Sequence, residues 1–510
     1  MNLNTIAVLG GGPGGLYAAR LLKRSHPDAE VTVYEQGLPD TTFGFGVGLA
    51  SRTQRNLRQA DEQSLDAIVS ASHPHEMAMR VGDDEVRLAH GELLAIGRAT
   101  LLSVLQRYAE EAGVILRYGA RRSAGELAAD LIVAADGISS ATRGEFADEF
   151  GPSIAEGDGL YLWCGTEFAL PSAVFTPVTT EHGTFVAHAY PYARDRSTFL
   201  IETDEQTWKL AGFDVSTAET PNGESDQTSL DYLQDAFAKT LQGNRLIGNR
   251  TKWLRFRTVR CRSWHHRNIV LLGDSAHTAH YSIGSGTKLA MEDAIALDRA
   301  LLAADGLEAA LDAYELERRP AVEHLQAIAE RSMAWWDSFA DRMTIPVAQL
   351  MLAYMTRAGK VTVERFAESA PHVVPAGLAA FAAVAPADVP APGAITDWIL
   401  TRPLVHSTHR FTGRDAPSGL RDTTRTARVT VTVRPWSDEA AAIVAGLPPA
   451  GVYWLEGPDD RESTLDRLEL GERIRLATDA LVVADVPAAL RADAAAALAS
   501  ARVDLVAFTR

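Results

Sequence analysis

The sequence predicts an α/β fold in which a parallel sheet is interrupted by an inserted antiparallel sheet and followed by a small C-terminal α/β domain. Apolar runs at 6–9, 131–135 and 269–272 each lead directly into glycine or an acid, as buried parallel strands do. Alternating polar and apolar residues within 151–262 indicate the antiparallel sheet. The segment 394–510 mixes strand-like and alanine-rich helical stretches, which favours a separate α/β domain.

The charge and the cysteine content narrow the possible functions. The 510 residues are 46% hydrophobic and 23% charged, as in an ordinary globular protein. A net charge of −17 disfavours binding to nucleic acid or to anionic membranes. We find no apolar run that could span a bilayer, no secretory leader, and no metal or redox motif around Cys164 and Cys261. We therefore expect a cytoplasmic protein without a metal site.

The first apolar run leads into a glycine-rich turn that predicts a dinucleotide site. Gly10, Gly12 and Gly15 have G-x-G-x-x-G spacing, a helical stretch and a second strand follow, and Glu35 lies 20 residues after Gly15. In this arrangement the glycines make the tight turn, admit the pyrophosphate and let helix and strand approach, while the acid binds a ribose. The helix N-terminus faces the diphosphate with free N–H groups. An isolated glycine motif would read as an ordinary loop, but all the parts occur here in order.

Segment 42–49 is a second glycine-rich stretch, and we expect a loop whose small residues allow a flat ligand to approach the backbone. A plain turn is the alternative. The helix that follows carries Arg52, Arg55 and Arg58 near one face. We expect Arg58 to be solvated and leave the other two open between phosphate and solvent.

Two later strands end in acids, and a basic run lies between them. Asp136 follows one strand and Asp274 follows another, and acids at strand ends are where open α/β sheets place ligand contacts. The basic run at 250–267 either holds an anionic substrate or forms an exposed strand face. The predicted domains are a discontinuous first domain (1–150 and 263–330), a sheet-rich substrate domain (151–262), a helical segment (331–374), an Ala/Pro-rich boundary (375–393) and a C-terminal α/β domain (394–510).

The glycine turn, Asp136-Gly137 and Gly273-Asp274, with Arg98 between the first two, together resemble the single-component FAD-dependent aromatic hydroxylases, the group A flavoprotein monooxygenases. The match covers residues 1 to about 330. The resemblance implies a Rossmann-like FAD-binding domain, a sheet domain over the substrate and no second domain for NAD(P)H. It also implies FAD as cofactor, NADH or NADPH as hydride donor and O2 as co-substrate.

Roles for individual residues follow from this resemblance. A helix N-terminus would stabilise the negative charge of reduced flavin at its N1–C2=O edge. The implied FAD contacts are Gly10, Gly12, Gly15 and Asp136 at the pyrophosphate, Glu35 at the adenosine ribose, Arg98 at the phosphate and ribose, Asp274 at the ribityl chain or a phosphate, Gly284 and Gly286 at the flavin edge, and Gly46 and Val47 against the isoalloxazine.

The stretch after Asp274 departs from the common family pattern, with Tyr281 where many members carry proline and Lys288 where they carry asparagine. Together with 256–260, it resembles instead the subgroup that hydroxylates aryl-CoA thioesters. That subgroup includes salicylyl-CoA 5-hydroxylase and the monooxygenase part of 2-aminobenzoyl-CoA monooxygenase/reductase. Two-part members continue into a flavin-binding barrel, and 394–510 is too short for a complete one.

This resemblance implies an NAD(P)H-dependent hydroxylation through a flavin C4a-hydroperoxide, first of all of salicylyl-CoA at ring position 5, giving gentisyl-CoA. His280 is the candidate base for the ring hydroxyl and Tyr281 orients the ring, unless both merely pack against the flavin edge. The candidates for the CoA phosphates are Arg255, Arg257 and Arg260. Alternatives are a free aromatic acid, an indole or a polyketide as substrate, or a flavoprotein that serves only as a binding module. The ring substituent, hydroxyl or amino, and the oligomeric state stay open.

Overall fold

A computed structural model describes residues 3–39, 42, 44–49, 51–89, 93–284 and 286–509, without the side chains of residues 51 and 52. The strands are β1 Thr5–Leu9, β2 Glu30–Tyr34, β3 Gly46–Leu49, β4 His73–Pro74, β5 Met77–Val81, β6 Asp84–Leu88, β7 Leu94–Gly97, β8 Ile115–Arg117, β9 Leu131–Ala134, β10 Pro152–Thr166, β11 Ala173–Thr180, β12 Gly183–Ala193, β13 Arg196–Thr203, β14 Leu246–Ile247, β15 Leu254–Cys261, β16 His265–His266, β17 Ile269–Leu271, β18 Leu404–His406, β19 His409–Phe411, β20 Thr426–Thr430, β21 Val452–Glu456, β22 Leu481–Pro487 and β23 Leu505–Thr509.

The helices are α1 Pro13–Ser25, α2 Ser51–Ala60, α3 Glu62–Ser70, α4 Arg98–Glu111, α5 Ala141–Glu145, α6 Ala147–Phe150, α7 Glu205–Leu210, α8 Phe213–Glu219, α9 Gln227–Ala236, α10 Ala238–Leu241, α11 Gly286–Ala303, α12 Leu307–Asp337, α13 Val347–Thr356, α14 Val363–Ser369, α15 Val373–Ala382, α16 Ile395–Leu400, α17 Asp438–Ala445, α18 Arg461–Ala477 and α19 Arg491–Ala499. Among the described residues, no helix is both long enough and apolar enough to cross a bilayer. The chain forms two compact units, the first made of residues 1–78 and 90–333 and the second of 79–89 and 334–510.

The parallel sheet of the first unit has the strand order β16–β17–β9–β1–β2–β8. All neighbours are parallel except β16, which is antiparallel to β17. This confirms the three predicted parallel strands. The carboxyl ends of parallel strands meet at one edge of a sheet, where α/β proteins bind ligands. The residues that follow these strands therefore share that edge: Gly10, Glu35, Asp136 and Asp274.

The antiparallel sheet predicted within 151–262 is confirmed, with the order β14–β10–β13–β12–β11 and β15 beside β10. One face carries an apolar core that contains Phe185, Phe199 and Leu162 and is covered by residues of the following helices, such as Phe213 and Phe237. Helices α7 to α10 were not predicted, because each has ten residues or fewer and little periodicity to detect. The opposite face of this sheet carries the aromatic residues of the candidate site.

The glycine-rich segment 42–49 is wrongly predicted as a loop over its second half. Residues 46–49 form β3, which pairs antiparallel with β7 from Gly46↔Gly97 to Leu49↔Leu94. The partner strand supplies the backbone hydrogen bonds that a loop would have to find elsewhere. Phe43 lies outside the described residues. In α2, the half-exposed Arg58 pairs with Glu62 and Asp66, which confirms its predicted solvation.

The second unit contains a four-stranded parallel sheet in the sequential order β20–β21–β22–β23. Its core includes Trp454, Val483 and Leu505. Helices α17, α18 and α19 lie between successive strands along the chain, which confirms the α/β character predicted for 394–510. The Ala/Pro-rich segment 375–393 lies within this unit and contains most of α15.

Candidate active site

The first glycine turn leaves space where a dinucleotide would need it. Gly10 has φ +102°, and a Cβ there would lie 2.3 Å from the carbonyl oxygen of Ala135. A Cβ on Gly15 would lie 2.1 Å from the carbonyl oxygen of Gly10, so neither position admits a side chain. Gly12, at the start of α1, has no described heavy atom within 4 Å of its Cβ position. The helix therefore presents its N-terminus to open space, as an anion site requires.

Glu35 ties the end of β2 to this turn. One carboxylate oxygen accepts the N–H of Gly11 at 2.7 Å, and the other accepts the N–H of Gly37 at 2.6 Å. Each oxygen of a carboxylate has a second acceptor position. Glu35 can therefore shape the turn and still accept hydrogen bonds from a ribose.

The carboxylate of Asp136 accepts hydrogen bonds from neighbouring residues of the protein. Its Oδ1 accepts the hydroxyls of Ser140 at 2.6 Å and Ser275 at 3.1 Å. Its Oδ2 accepts both the N–H and the hydroxyl of Thr142 at 3.0 and 3.1 Å. Four hydrogen bonds fill the acceptor positions of a carboxylate. Asp136 therefore braces α5 against the turn after β17, and its contact with the pyrophosphate stays a prediction.

Asp274 is the acid that remains open at this edge. Its side chain is exposed, and it makes no side-chain hydrogen bond to another residue of the described ranges. The surrounding protein raises the pKa of Asp274, while His277 and Arg98 oppose that shift. Burial lowers the pKa of Arg98, and Asp274 opposes it in turn. Arg98 begins α4, and its backbone N–H donates to the carbonyl oxygen of Phe45 at 2.7 Å. A carboxylate and a guanidinium thus stand close together at the predicted positions.

A buried carboxylate in α11 holds the Gly273-Asp274 turn. Oδ2 of Asp293 accepts the N–H of Gly273 at 3.1 Å and contacts Nε2 of His277 at 2.8 Å. Its Oδ1 accepts Nε of Arg318 at 2.8 Å. Burial opposes ionisation, but His277 and Arg318 lower the pKa of Asp293. The sequence analysis missed Asp293 and Arg318; the available signal was an acid on the buried face of a helix.

The N-terminus of α11 is open as well. Gly284 has φ +60°, a left-handed conformation that suits glycine, and α11 begins at Gly286. Neither glycine has a described heavy atom within 4 Å of its Cβ position, and Ser285 between them lies outside the described residues. The positive dipole end of this helix could stabilise a negatively charged ring edge, as the resemblance implies.

Strand β3 is fastened to the antiparallel sheet at Gly46. The N–H of Gly46 donates to Oγ1 of Thr198 at 2.8 Å, and its carbonyl oxygen accepts the Tyr190 hydroxyl at 2.7 Å. A Cβ on Gly46 would lie 2.7 Å from the ring of Tyr192. The backbone of Gly46 and Val47 is therefore held at a fixed distance from the face of the sheet.

His280 and Tyr281 lie among aromatic rings on that face. The ring centroids of Tyr281 and Tyr161 are 4.9 Å apart, those of His280 and Phe256 are also 4.9 Å apart, and His280 and Tyr281 are 4.0 Å apart. Nδ1 of His280 contacts Oγ of Ser282 at 2.8 Å. We call the rings of Tyr161, Phe256 and Tyr281 the aromatic cleft. The two predicted catalytic residues thus lie together, beside rings that sequence reasoning did not assign to the site.

A buried acid and a histidine also border the aromatic cleft. Nε2 of His188 lies 3.1 Å from Oε2 of Glu202, and the exposed fractions of the two residues are only 7% and 8%. Burial opposes ionisation, but His188, His280 and Tyr281 lower the pKa of Glu202. The sequence analysis missed both residues. Their signal was a polar residue at an alternating position inside an apolar strand.

The three predicted substrate arginines do not form one free basic surface. Arg255 pairs with Glu205 at 2.9 Å, and Arg260 pairs with Glu330. Arg257 donates to Oγ of Ser139 at 3.4 Å and has no carboxylate partner within the part of the chain that the structure describes. Of the three, Arg257 is therefore the one still available to an anion.

The open Gly12 position, the exposed Asp274 carboxylate and the free N-terminus of α11 fit FAD, because they offer space for a diphosphate, an acceptor for hydroxyls and a positive end for the ring. The chain matches the FAD binding domain family over residues 87–329 and the NAD(P)-binding Rossmann-like domain family over 8–41. Solved structures with this fold include 2-methyl-3-hydroxypyridine-5-carboxylic acid oxygenase, with a TM-score of 0.53, 20% identity, and coverage of 70% of this chain and 96% of that chain.

Two curated relatives are much more similar in sequence. Salicyloyl-CoA 5-hydroxylase from a Streptomyces species is 44% identical over 338 residues, which cover 66% of this chain and 65% of the relative. A 3-hydroxy-4-methyl-anthranilyl-[aryl-carrier protein] 5-monooxygenase from Streptosporangium sibiricum is 38% identical over 372 residues, covering 72% of this chain and 99% of the relative. The chain thus spans just under two thirds of the first relative and nearly all of the second.

Proposed function

The chain belongs to the family of FAD-dependent aromatic hydroxylases, and we propose that it hydroxylates salicyloyl-CoA (salicylyl-CoA) at ring position 5 to give gentisyl-CoA. NADH or NADPH is the proposed hydride donor. The observation that carries the reaction class is the aromatic cleft, which begins at Tyr281, five residues before the open N-terminus of α11. The thioester substrate is supported by the 44% identity to a salicyloyl-CoA 5-hydroxylase.

Bound FAD would supply the activation of O2 and its transfer to the ring. The residues of this chain bind the cofactor, orient the ring and exclude water. The open turn at Gly12 and the N-terminus of α1 would take the pyrophosphate, with Glu35 at the ribose and Asp274 and Arg98 at the hydroxyls and phosphate beyond it. The N-terminus of α11 would stabilise negative charge on the reduced ring. Gly46 and Val47 would line that ring through their backbone.

The cleft positions the substrate ring. Tyr161, Phe256 and Tyr281 can hold an aromatic ring by edge-to-face contacts. A ring hydroxyl or amino group makes the carbon para to it nucleophilic, so removing a proton from that group speeds attack. Tyr281 is the proposed catalytic residue, because its ring centroid lies 4.9 Å from that of Tyr161 and 6.5 Å from that of His188, which pairs with Glu202. His280, which contacts Ser282, is proposed to close the site against water.

A second candidate substrate is the same kind of ring carried as a thioester on a protein. It is favoured by one observation: this chain covers 99% of a relative that is named for an aryl-carrier-protein substrate. CoA and carrier proteins present the same phosphopantetheine thioester. Arg257 is the proposed contact for phosphate in either case. A free aromatic acid, an indole or a polyketide is the remaining alternative.

The test is anaerobic reduction of the flavin in the holoenzyme by NADH and by NADPH, followed by absorbance. Salicyloyl-CoA, salicyloyl-pantetheine and free salicylate are added in parallel, and the aerobic products are identified by mass spectrometry. We expect salicyloyl-CoA to accelerate reduction and to yield a product one oxygen heavier. Equal stimulation by the pantetheine thioester favours a carrier substrate, and stimulation by salicylate alone rules out the thioester proposal.

We also propose that the enzyme works in the cytoplasm. Cys164 and Cys261 are both buried free thiols. Free thiols are typical of a reducing compartment. Fractionation of the native source with an antibody against the chain tests this location.

A further inference from the structure

The cleft face of the antiparallel sheet is largely apolar and aromatic, and it also carries an acid and an imidazole, Glu202 and His188. Successive side chains of a strand alternate between the two faces, so residues opposite in register share a face. The core face carries Phe199 and Ile201, which leaves Glu202 on the other face with His188. Two rows of register partners cross this face: Val186, Glu202 and Tyr161 in one, and Phe175, His188, Leu200 and Trp163 in the other.

A buried carboxylate beside an imidazole at this position is not explained by stability. Taking an ionised carboxylate out of water costs at least several kcal/mol, and a buried ion pair often stabilises a fold no more than apolar residues of similar volume. Strands β10, β12 and β13 already pair along their length and bury a complete apolar core on the opposite face. The pair is therefore better explained by the cleft that it borders.

Tyr281 connects the pair to the cleft. Its ring centroid lies 6.5 Å from that of His188 and 4.9 Å from that of Tyr161, and its side chain lowers the pKa of Glu202. His280 contacts a different group. Its Nδ1 lies 2.8 Å from Oγ of Ser282, and that Oγ lies 2.7 Å from Oγ of Ser332.

We propose that Glu202 and His188 form the proton acceptor for the ring hydroxyl of the substrate, acting through Tyr281. This rests on the proposed function, since it assumes a phenolic ring in the aromatic cleft. The substrate O–H bond breaks and its proton bonds to the Tyr281 oxygen, while the proton of the Tyr281 hydroxyl passes to the pair. The ring gains one negative charge, the pair gains one proton, and the step requires no oxidant. Glu202 and His188 are positioning residues in this scheme, and Tyr281 is the catalytic one.

The other titratable groups around the pair are few. Tyr161 faces Glu202 from β10, His280 and Tyr281 approach from the turn before α11, and Arg257 acts on Tyr161 from β15 together with Asp274. The remaining contacts described here are apolar, such as the Phe175 ring 5.0 Å from His188. A change in the ionisation of a bound phenol can therefore be assigned by substituting these groups singly.

The experiment measures the pH at which a bound phenol ionises in the holoenzyme, with salicyloyl-CoA and 4-nitrophenol as separate probes read by phenolate absorbance. The variants are Glu202→Gln, His188→Gln and Tyr281→Phe, and His280→Asn represents the competing base. Glu219→Gln makes the same change of charge on the exposed end of α8 and is the matched control. Because Tyr281 is half-buried, Tyr281→Phe still decides the test if a variant of Glu202 or His188 does not fold.

We expect a phenol bound to the wild type to ionise at a lower pH than the same phenol free in solution. The Glu202 and His188 variants should reverse this by tenfold or more in the ionisation equilibrium and lower kcat about 100-fold, with little change in KM. Tyr281→Phe should shift the ionisation in the same direction and lower kcat about tenfold. Unchanged ionisation in these variants, with a shift in His280→Asn, overturns the proposal and leaves the proposed function intact. If salicyloyl-CoA does not perturb the flavin spectrum, the proposed substrate fails, and 4-nitrophenol alone decides the role of the pair by the same criteria.

Discussion

The protein contains two buried pairs of histidine and carboxylate, and they serve different purposes. His277 and Asp293 are 2.8 Å apart behind the Gly273-Asp274 turn, and His188 and Glu202 are 3.1 Å apart beside the aromatic cleft. In the first pair, the carboxylate also accepts hydrogen bonds from a guanidinium and from a backbone N–H. In the second, the neighbouring group is Tyr281, whose ring centroid lies 6.5 Å from that of His188. The identity of the third partner therefore separates a structural pair from one that can pass on a proton.

The largest expected effect is on the structural pair. Asp293→Asn leaves Arg318 and His277 without their buried counter-charge, and breaking such a pair costs about 3–5 kcal/mol. We expect a marked loss of stability and weaker FAD retention, because the Gly273-Asp274 turn loses its anchor. Chemical denaturation followed by tryptophan fluorescence, with flavin release measured in parallel, checks this. Glu219→Gln should change neither quantity.

The same variant has a predictable pH dependence. The pKa of Asp293 is lowered in the folded protein, so its stabilising contribution is present above the ordinary aspartate pKa of 3.8 and is lost as pH falls through the folded value. The wild type should therefore lose more stability than Asp293→Asn on going from neutral pH into the acid range. Parallel acid titrations of the two proteins would contradict the assignment of Asp293 as an ionised anchor.

The second effect is on activity. Glu202→Gln should lower kcat about 100-fold, equivalent to about 2.7 kcal/mol of transition-state stabilisation, with less loss of stability than Asp293→Asn. Hydroxylated product and NADH consumption are measured together, because substrate binding can still stimulate reduction. If Asp293→Asn and Glu202→Gln lose equal stability and equal activity, the distinction between the two pairs fails.

A smaller effect on activity is expected from substitutions of Tyr281 and His280. Tyr281→Phe removes the hydroxyl that is proposed to relay the proton but leaves the pair, so water can replace it in part and kcat should fall about tenfold, or about 1.4 kcal/mol. His280→Asn should lower kcat about threefold through looser closure of the site, without changing the ionisation of a bound phenol. Steady-state kinetics over a range of pH distinguish the two, since only Tyr281→Phe should alter the profile.

The parts that sequence reasoning predicted best depend on local signals. The strands before Gly10, Asp136 and Gly273, the tight turn at Gly10 and the start of α11 near Gly286 all follow from short patterns of glycine and apolar residues. The contacts of Asp136 could not be predicted, because Ser275 is 139 residues away and reaches it only through the pairing of β9 with β17.

The catalytic neighbourhood was harder to predict for the same reason. Glu202 faces Tyr161 only because β10 and β13 pair in one register, and a slip of one residue would turn it into the core. Arg255 and Arg260 were predicted as candidate contacts for the CoA phosphates, and the ion pairs that they form with Glu205 and Glu330 of other elements could not be read from the sequence. Neither acid stands out in the sequence as a partner of these arginines.

The attachment of β3 at Gly46 limits how this enzyme can change its substrate. The N–H and the carbonyl oxygen of Gly46 are both hydrogen-bonded, and a Cβ on Gly97, its partner in β7, would lie 3.3 Å from the Tyr192 ring. Mutations at either glycine would disturb the backbone that is proposed to meet the cofactor. Phe256 contributes its ring to the aromatic cleft, 4.9 Å from that of His280. Directed evolution toward larger or smaller aromatic rings should therefore succeed by varying Phe256 while β3 stays unchanged.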